Sequence, residues 1–178
     1  MELLRFLDAC STFERRGITF YRRFAGRFHD PPEASRLWTK MSDTEAGHFA
    51  ILALSQDLVQ MSHNPDQSPL EIAFVSLDET EDRLTALESQ GQASSLTLAE
   101  AVHLAVAWEE TELPQVLALL PALPPEARRR MLSGLLAETD LHYDCLKALA
   151  GLVGVASVDS RLQTLQQTAA QAARTSLS

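Results

Sequence analysis

Apolar residues recur along this chain with the three-to-four-residue spacing of amphipathic helices, and runs of alternating β-branched residues are almost absent. The pattern predicts four long helices, at about 2–29, 33–62, 97–120 and 125–151, and a shorter connecting helix at about 70–90. Asp30-Pro31-Pro32 closes the first, because the residue before a proline is pushed away from α geometry. The stretches SHNPDQSP, GQASSLT and LPALPPEA separate the others. A last segment, 158–173, is polar and rich in Ala and Gln, which suits a weakly docked or frayed tail. The chain therefore reads as all-α, with one helical bundle over residues 1–155 and a polar C-terminal helix or tail over 156–178.

The stripes that should face the core carry the most information. The first helix offers Leu3, Leu7, Cys10, Glu14, Gly17, Tyr21, Phe24 and Phe28 in a four-three spacing. The second offers Ala34, Trp38, Met41, Glu45, His48, Leu52, Ser55 and Val59, and the third Leu98, Val102, Ala105, Glu109, Glu112, Val116 and Leu119. Each stripe is interrupted midway by ionisable residues. Burying a lone carboxylate is costly even after the surroundings relax, and no lysine or arginine stands in these seams to offset it. A cation held between the helices would, as in the dinuclear centres of four-helix bundles.

Composition narrows the function classes. The 178 residues, 46% of them apolar, suit one compact core. Asp plus Glu outnumber Lys plus Arg by 24 to 15, and the formal charge of -9 repels phosphate backbones and anionic membrane surfaces. Nucleic acid and membrane are not expected partners. The two cysteines, Cys10 and Cys145, form no CxxC motif and no disulfide framework, and read as small core residues. MELLRFLDAC lacks the pattern of a secretory signal, and no stretch approaches the roughly 18 apolar residues of a membrane span. A cytoplasmic location is the expectation.

The second half of the chain echoes the first. PPEASRLWTKMSDTEAGH from Pro31 can be laid on PPEARRRMLSGLLAETDLH from Pro124, and each follows a helix with a seam glutamate, Glu14 or Glu109. Glu45 and Glu138 stand equally far from their proline pairs, but one extra residue separates Glu138 from His142. Measured back from the histidine, Thr139 takes the glutamate's place. Two registers of the fourth helix are open, one through Met131, Glu138 and Cys145, the other through Leu132, Thr139 and Leu146.

With these residues the chain resembles the ferritin-like superfamily, and within it the rubrerythrin group of diiron-carboxylate proteins, over about residues 5–150. Glu14 and Tyr21 in ERRGITFY match the family's first-helix pattern, Glu45 and His48 its first E-x-x-H pair, Glu109 in AVAWEE its third-helix ligand, and His142 its final histidine. Glu112 is placed like an additional third-helix glutamate. The resemblance implies a four-helix bundle with a long crossover between the second and third long helices, which makes those two parallel. It also implies one or two iron ions, with manganese as the other choice, and dioxygen or hydrogen peroxide as oxidant. In a dinuclear arrangement Glu14, Glu45 and His48 hold one metal, and Glu109, Glu138 and His142 the other. A mononuclear site at Glu14, Glu45, His48 and Glu109 is equally open.

Two positions depart from the family pattern. Thr139 replaces a bridging glutamate, and Pro114 should kink the third long helix beside the site. Both favour a competing reading, a metal-free scaffold acting through dimerisation or partner binding. The family's rubredoxin domain has no counterpart, so a redox cycle would require an external electron donor; a homodimer is the expected assembly. Glu112 reads as a rim residue, Tyr21 as a packing residue able to donate to a site carboxylate, His103 as a surface residue, and His29 and His63 as solvated helix-end residues.

Overall fold

The computed structural model describes residues 2–61 and 71–177, apart from the side chains at 2, 71–76, 135–139, 173 and 175–177. Every regular element among the described residues is helical: α1 (Glu2–Arg27), α2 (Pro32–Met61), α3 (Glu71–Gly91), α4 (Leu98–Leu119), α5 (Pro125–Val153) and α6 (Asp159–Leu177). Short 3-10 turns occupy Leu120–Ala122 and Ala156–Val158.

Local chemistry sets the helix ends. Both α2 and α5 start on the second proline of a Pro-Pro pair, where a missing N–H costs nothing. At the start of α4, the Glu100 amide donates to the Thr97 hydroxyl oxygen (3.2 Å) and the Thr97 amide donates to the Glu100 carboxylate (2.7 Å), a reciprocal cap. Gly154 closes α5 at φ 70°, a left-handed conformation that a side chain would strain. The α4 helix runs on through Pro114 to Leu119, since a proline forfeits only its own bond to the carbonyl one turn back.

Packing follows the seams. Around the bundle α1 contacts α2, α2 contacts α5, α5 contacts α4 and α4 returns to α1. Two apolar cores result. One gathers Phe20, Tyr21, Phe24, Trp38, Met41, Val102, Trp108 and Leu146; the other gathers Leu7, Cys10, Leu52, Val59, Val116, Leu119 and Met131. Glu14, Glu45, His48, Glu109, Glu112 and His142 fall between these groups along their helices. The order in which each helix meets the two cores also fixes its direction. The α2 and α4 helices run the same way, whereas α1 and α5 run opposite to them, as a long crossover between α2 and α4 requires.

The crossover helix α3 lies on α1 and α4. Arg16 grips Glu88 through Nε (2.9 Å) and a terminal nitrogen (3.1 Å), and Arg27 donates to the carbonyls of Ala93, Ser94 and Leu96, fastening the turn before α4 to the end of α1.

Residues 158–173, expected as a loosely held tail, behave otherwise. The α6 helix packs against α4 and α5, burying Leu162, Leu165 and Ala169, and Arg161 forms a two-pronged bond to Glu110 on α4 (2.7 and 2.6 Å). The i, i+3, i+7 spacing of three small or medium apolar residues was a weak signal beside so many glutamines and threonines. It suffices because the groove offered to it is already formed.

Candidate metal centre

Four helices converge on one polar layer. Glu14 comes from α1, Glu45 and His48 from α2, Glu109 and Glu112 from α4, and His142 from α5; none is more than 9% exposed. Their ligand atoms fall into two overlapping groups of three, Glu14–Glu45–His48 and Glu45–Glu109–His142, each with all atoms within 4.8 Å of one another. In the first, His48 Nδ1 lies 3.3 Å from Glu14 Oε2 and 3.4 Å from Glu45 Oε2. In the second, His142 Nδ1 lies 3.1 Å from Glu109 Oε1 and 3.9 Å from Glu45 Oε1. Glu45 thus faces both groups, one oxygen toward each. It occupies that position because residue 17 on α1 is glycine: a Cβ there would come within 3.1 Å of the Glu45 carboxyl.

The electrostatics of the two groups differ. Burial, and then the charge of Glu14, push the Glu45 carboxyl well above the usual carboxylate range, and a hydrogen bond between the two acids adds to the rise. Such a bond requires one carboxyl to keep its proton. Glu109 is held below that range. Burial pushes it up, but the His142 charge and the hydrogen bonds from His142 and Tyr21 outweigh this. His142 moves the other way. Burial pushes it down, and Glu109 followed by Glu45 outweigh burial, so it titrates higher than an ordinary histidine.

The partners of His142 agree. Nδ1 faces Glu109, and Nε2 lies 3.3 Å from the carbonyl of Met41. With Glu109 ionised both are acceptors, an arrangement that favours a proton on each ring nitrogen. The Met41 contact also anchors the ring so that Nδ1 is the atom presented to a metal.

Two aromatic donors complete the layer. The Tyr21 hydroxyl donates to Glu109 Oε1 (2.6 Å), and the Trp108 indole donates to Glu112 Oε2 (2.7 Å). Phe20 lies between them, stacked on Trp108 with ring centres 4.6 Å apart and edge-on to Tyr21 at 5.4 Å. Burial, then Glu45 and Glu109, raise the Glu112 carboxyl well above its ordinary value. Among the described residues, Glu45 Oε1 and Glu112 Oε1 are buried oxygens with no hydrogen-bond partner. A 30 Å³ cavity touches all the acids and His48, and continues between Val116, Leu132 and Ala169.

Of the sequence-predicted ligands, Glu14, Glu45, His48, Glu109 and His142 come together. Among the described residues, the group containing Glu109 and His142 has Glu45 as its third member. Glu138, assigned to that group from the sequence, and Thr139 lie outside the described side chains. Glu112, expected at the rim, is buried, because Trp108 one turn earlier draws its carboxylate inward. Tyr21 donates to a site carboxylate as its spacing allowed. His103 is half-buried beside Leu96 and Glu100, apart from the polar layer, and His29 is exposed; His63 lies outside the described residues. Three contributors were not singled out from the sequence: Gly17, Trp108 and the Met41 carbonyl. Only Gly17 left a signal, as the one glycine in a seam of larger residues.

Comparisons with protein-family models, with curated proteins and with solved structures found no match.

Proposed function

We propose that the protein is a ferritin-like, rubrerythrin-like metal-binding protein whose buried layer holds iron, with manganese as the next choice. Glu45, facing both groups of three, is the observation that carries this reading. The donor set supports it: carboxylate oxygens and imidazole nitrogens suit iron and manganese better than soft metals. So does the energetic situation, since Glu45 Oε1 and Glu112 Oε1 are buried oxygens with no partner among the described residues, which a cation would satisfy. Glu14, Glu45 and His48 would hold one ion, and Glu45, Glu109 and His142 a second. Iron so held would supply one-electron chemistry and an open coordination position for dioxygen or hydrogen peroxide. Around it the chain's residues would have defined tasks: Met41 orients His142, Tyr21 steadies Glu109, and the proton on His142 Nδ1 leaves when that atom becomes a ligand. Homodimerisation and an external electron donor belong to the same reading.

A metal-free scaffold acting through dimerisation or a partner is favoured by one observation. The His142 imidazolium already neutralises Glu109, with Tyr21 completing the pair, so half of the layer is satisfied without a cation.

The deciding experiment is metal analysis by mass spectrometry on protein purified without a histidine tag or chelator, followed by anaerobic Fe(II) titration. The metalloprotein reading expects one to two tightly held ions. Less than about a tenth of an equivalent after Fe(II) addition leaves the scaffold reading.

A further inference from the structure

The α6 helix crosses the polar layer on the outside of the bundle. Its Leu162 and Leu165 join the core that holds Trp38 and Trp108, and Ala172 packs against the core that holds Leu119 and Met131. Ala169, between them, lines the cavity shared by Glu14, Glu45, His48, Glu109 and Glu112. Gln167, Thr168 and Ala170, its neighbours on the other face of the helix, are exposed. One helix thus separates this side of the cavity from solvent.

The hold on α6 is uneven along its length. Its first half is fixed by two buried leucines, by the Arg161–Glu110 fork and by Lys147 Nζ donating to Gln166 (3.4 Å). Over the layer and beyond it, the described inward side chains are alanines, Ala169 and Ala172, and an alanine buries far less apolar surface than a leucine. The helix is also modest by composition. Thr164 and Thr168 each turn a hydroxyl to the carbonyl one turn back (2.9 Å), a bond that slightly weakens a helix, and threonine is a poorer helix former than alanine. A segment held by few buried apolar contacts opens more readily than the core it lies on.

We infer that the second half of α6, from Thr168 onward, is a cover that unwinds to let water reach the polar layer. As a statement about opening, it concerns the metal-free protein. The further step, that a metal ion enters the layer through the same opening, rests on the metal-binding reading above.

The two tryptophans supply the test in metal-free protein. The Trp108 indole N–H donates to Glu112, which lines the cavity, so its exchange for deuterium in NMR spectra reports water entering the layer. Trp38, on α2 and packed against Tyr21 and Phe24, does not line that cavity and reports general loosening. Both substitutions fall on exposed positions of α6. Ala170→Gly weakens the helix and should speed Trp108 exchange by about fivefold, and Thr168→Ala strengthens it and should slow exchange by roughly twofold, with Trp38 unchanged in each. Trp108 exchange that neither substitution moves, or that moves in step with Trp38, overturns the inference. In anaerobic stopped-flow Fe(II) uptake, Ala170→Gly should fill the layer faster at unchanged stoichiometry, and an unchanged rate overturns the ion route. Indole exchange that responds in a protein taking up no iron would remove the metal-binding reading and leave the cover standing. Iron uptake with an unresponsive indole would do the reverse.

Discussion

The two hairpins contribute to the polar layer in opposite ways. The α1–α2 hairpin brings Glu14, Glu45 and His48 together with no arginine or lysine among them, and burial followed by the Glu14 charge raises the Glu45 carboxyl. The α4–α5 hairpin brings Glu109 and His142 as an ion pair, each with a further partner in Tyr21 or the Met41 carbonyl. Among the described residues, its third ligand is Glu45. A pair of sequence repeats has thus produced one position built on two carboxyls and a histidine of the same hairpin and another built on a carboxylate–histidine pair. Equal ligand number does not mean equal affinity, because metal at the second position competes, beyond the Glu45 proton common to both, with the raised proton affinity of His142.

The largest test of this contrast is Glu45→Ala. It should bring Fe(II) stoichiometry below about a tenth of an equivalent, since each group loses a ligand, while His142→Ala should keep one ion and His48→Ala should weaken the tighter one. Two ions remaining in Glu45→Ala would break the shared-ligand picture.

The pH dependence of metal-free stability comes next. Glu45, Glu112 and His142 all have raised values in the folded state. The stability they contribute is full below the unfolded values, about 4.3 for Glu and about 6.5 for His, and is lost as pH rises through the folded ones. Glu109 has a lowered value, so its contribution is present above about 4.3 and is lost as pH falls through the folded value. Urea unfolding should therefore show metal-free stability greatest in mildly acidic buffer and declining toward alkaline pH. Saturating Mn(II) should remove much of that decline, because a cation takes the place of the protons. A metal-free protein whose stability rises steadily to alkaline pH would contradict the assignment of protons to this layer.

A smaller effect sharpens the second half alone. Tyr21→Phe removes a hydrogen bond to a buried charge and should destabilise the metal-free protein by about 1.5–3 kcal/mol in urea unfolding. Affinity at the Glu14–Glu45–His48 position should hardly change, and a matching loss there would show that the two groups act as one. The smallest expected change is Gly17→Ala. Its new Cβ, 3.1 Å from the Glu45 carboxyl, forces that group to yield by a few tenths of an ångström. Isothermal titration should then show weaker binding at both positions, by about tenfold or less.

Much of the fold was legible in the chain because helical periodicity and proline breaks act locally. Every member of the α2 seam read from the sequence, from Ala34 to Val59, is buried. The α6 helix was not legible as a docked element, because three apolar residues among glutamines mean little until a groove exists for them. In the polar layer, the seam spacing picked out Glu14, Glu45, His48 and Glu109, since a charged residue on an apolar stripe is exceptional in any helix, whereas His142 was marked by the internal repeat.

What the sequence determined by itself, then, is that ionisable side chains would meet between two apolar cores, because each helix places its own side chains by its own period. Which of them meet, and in what state, only the tertiary structure decided. The sharing of Glu45 depends on the space opened by Gly17 on another helix, the orientation of the His142 ring on a carbonyl of α2, and the inward turn of Glu112 on an indole buried against Phe20. These are distances between helices, and helical periodicity carries no information about them.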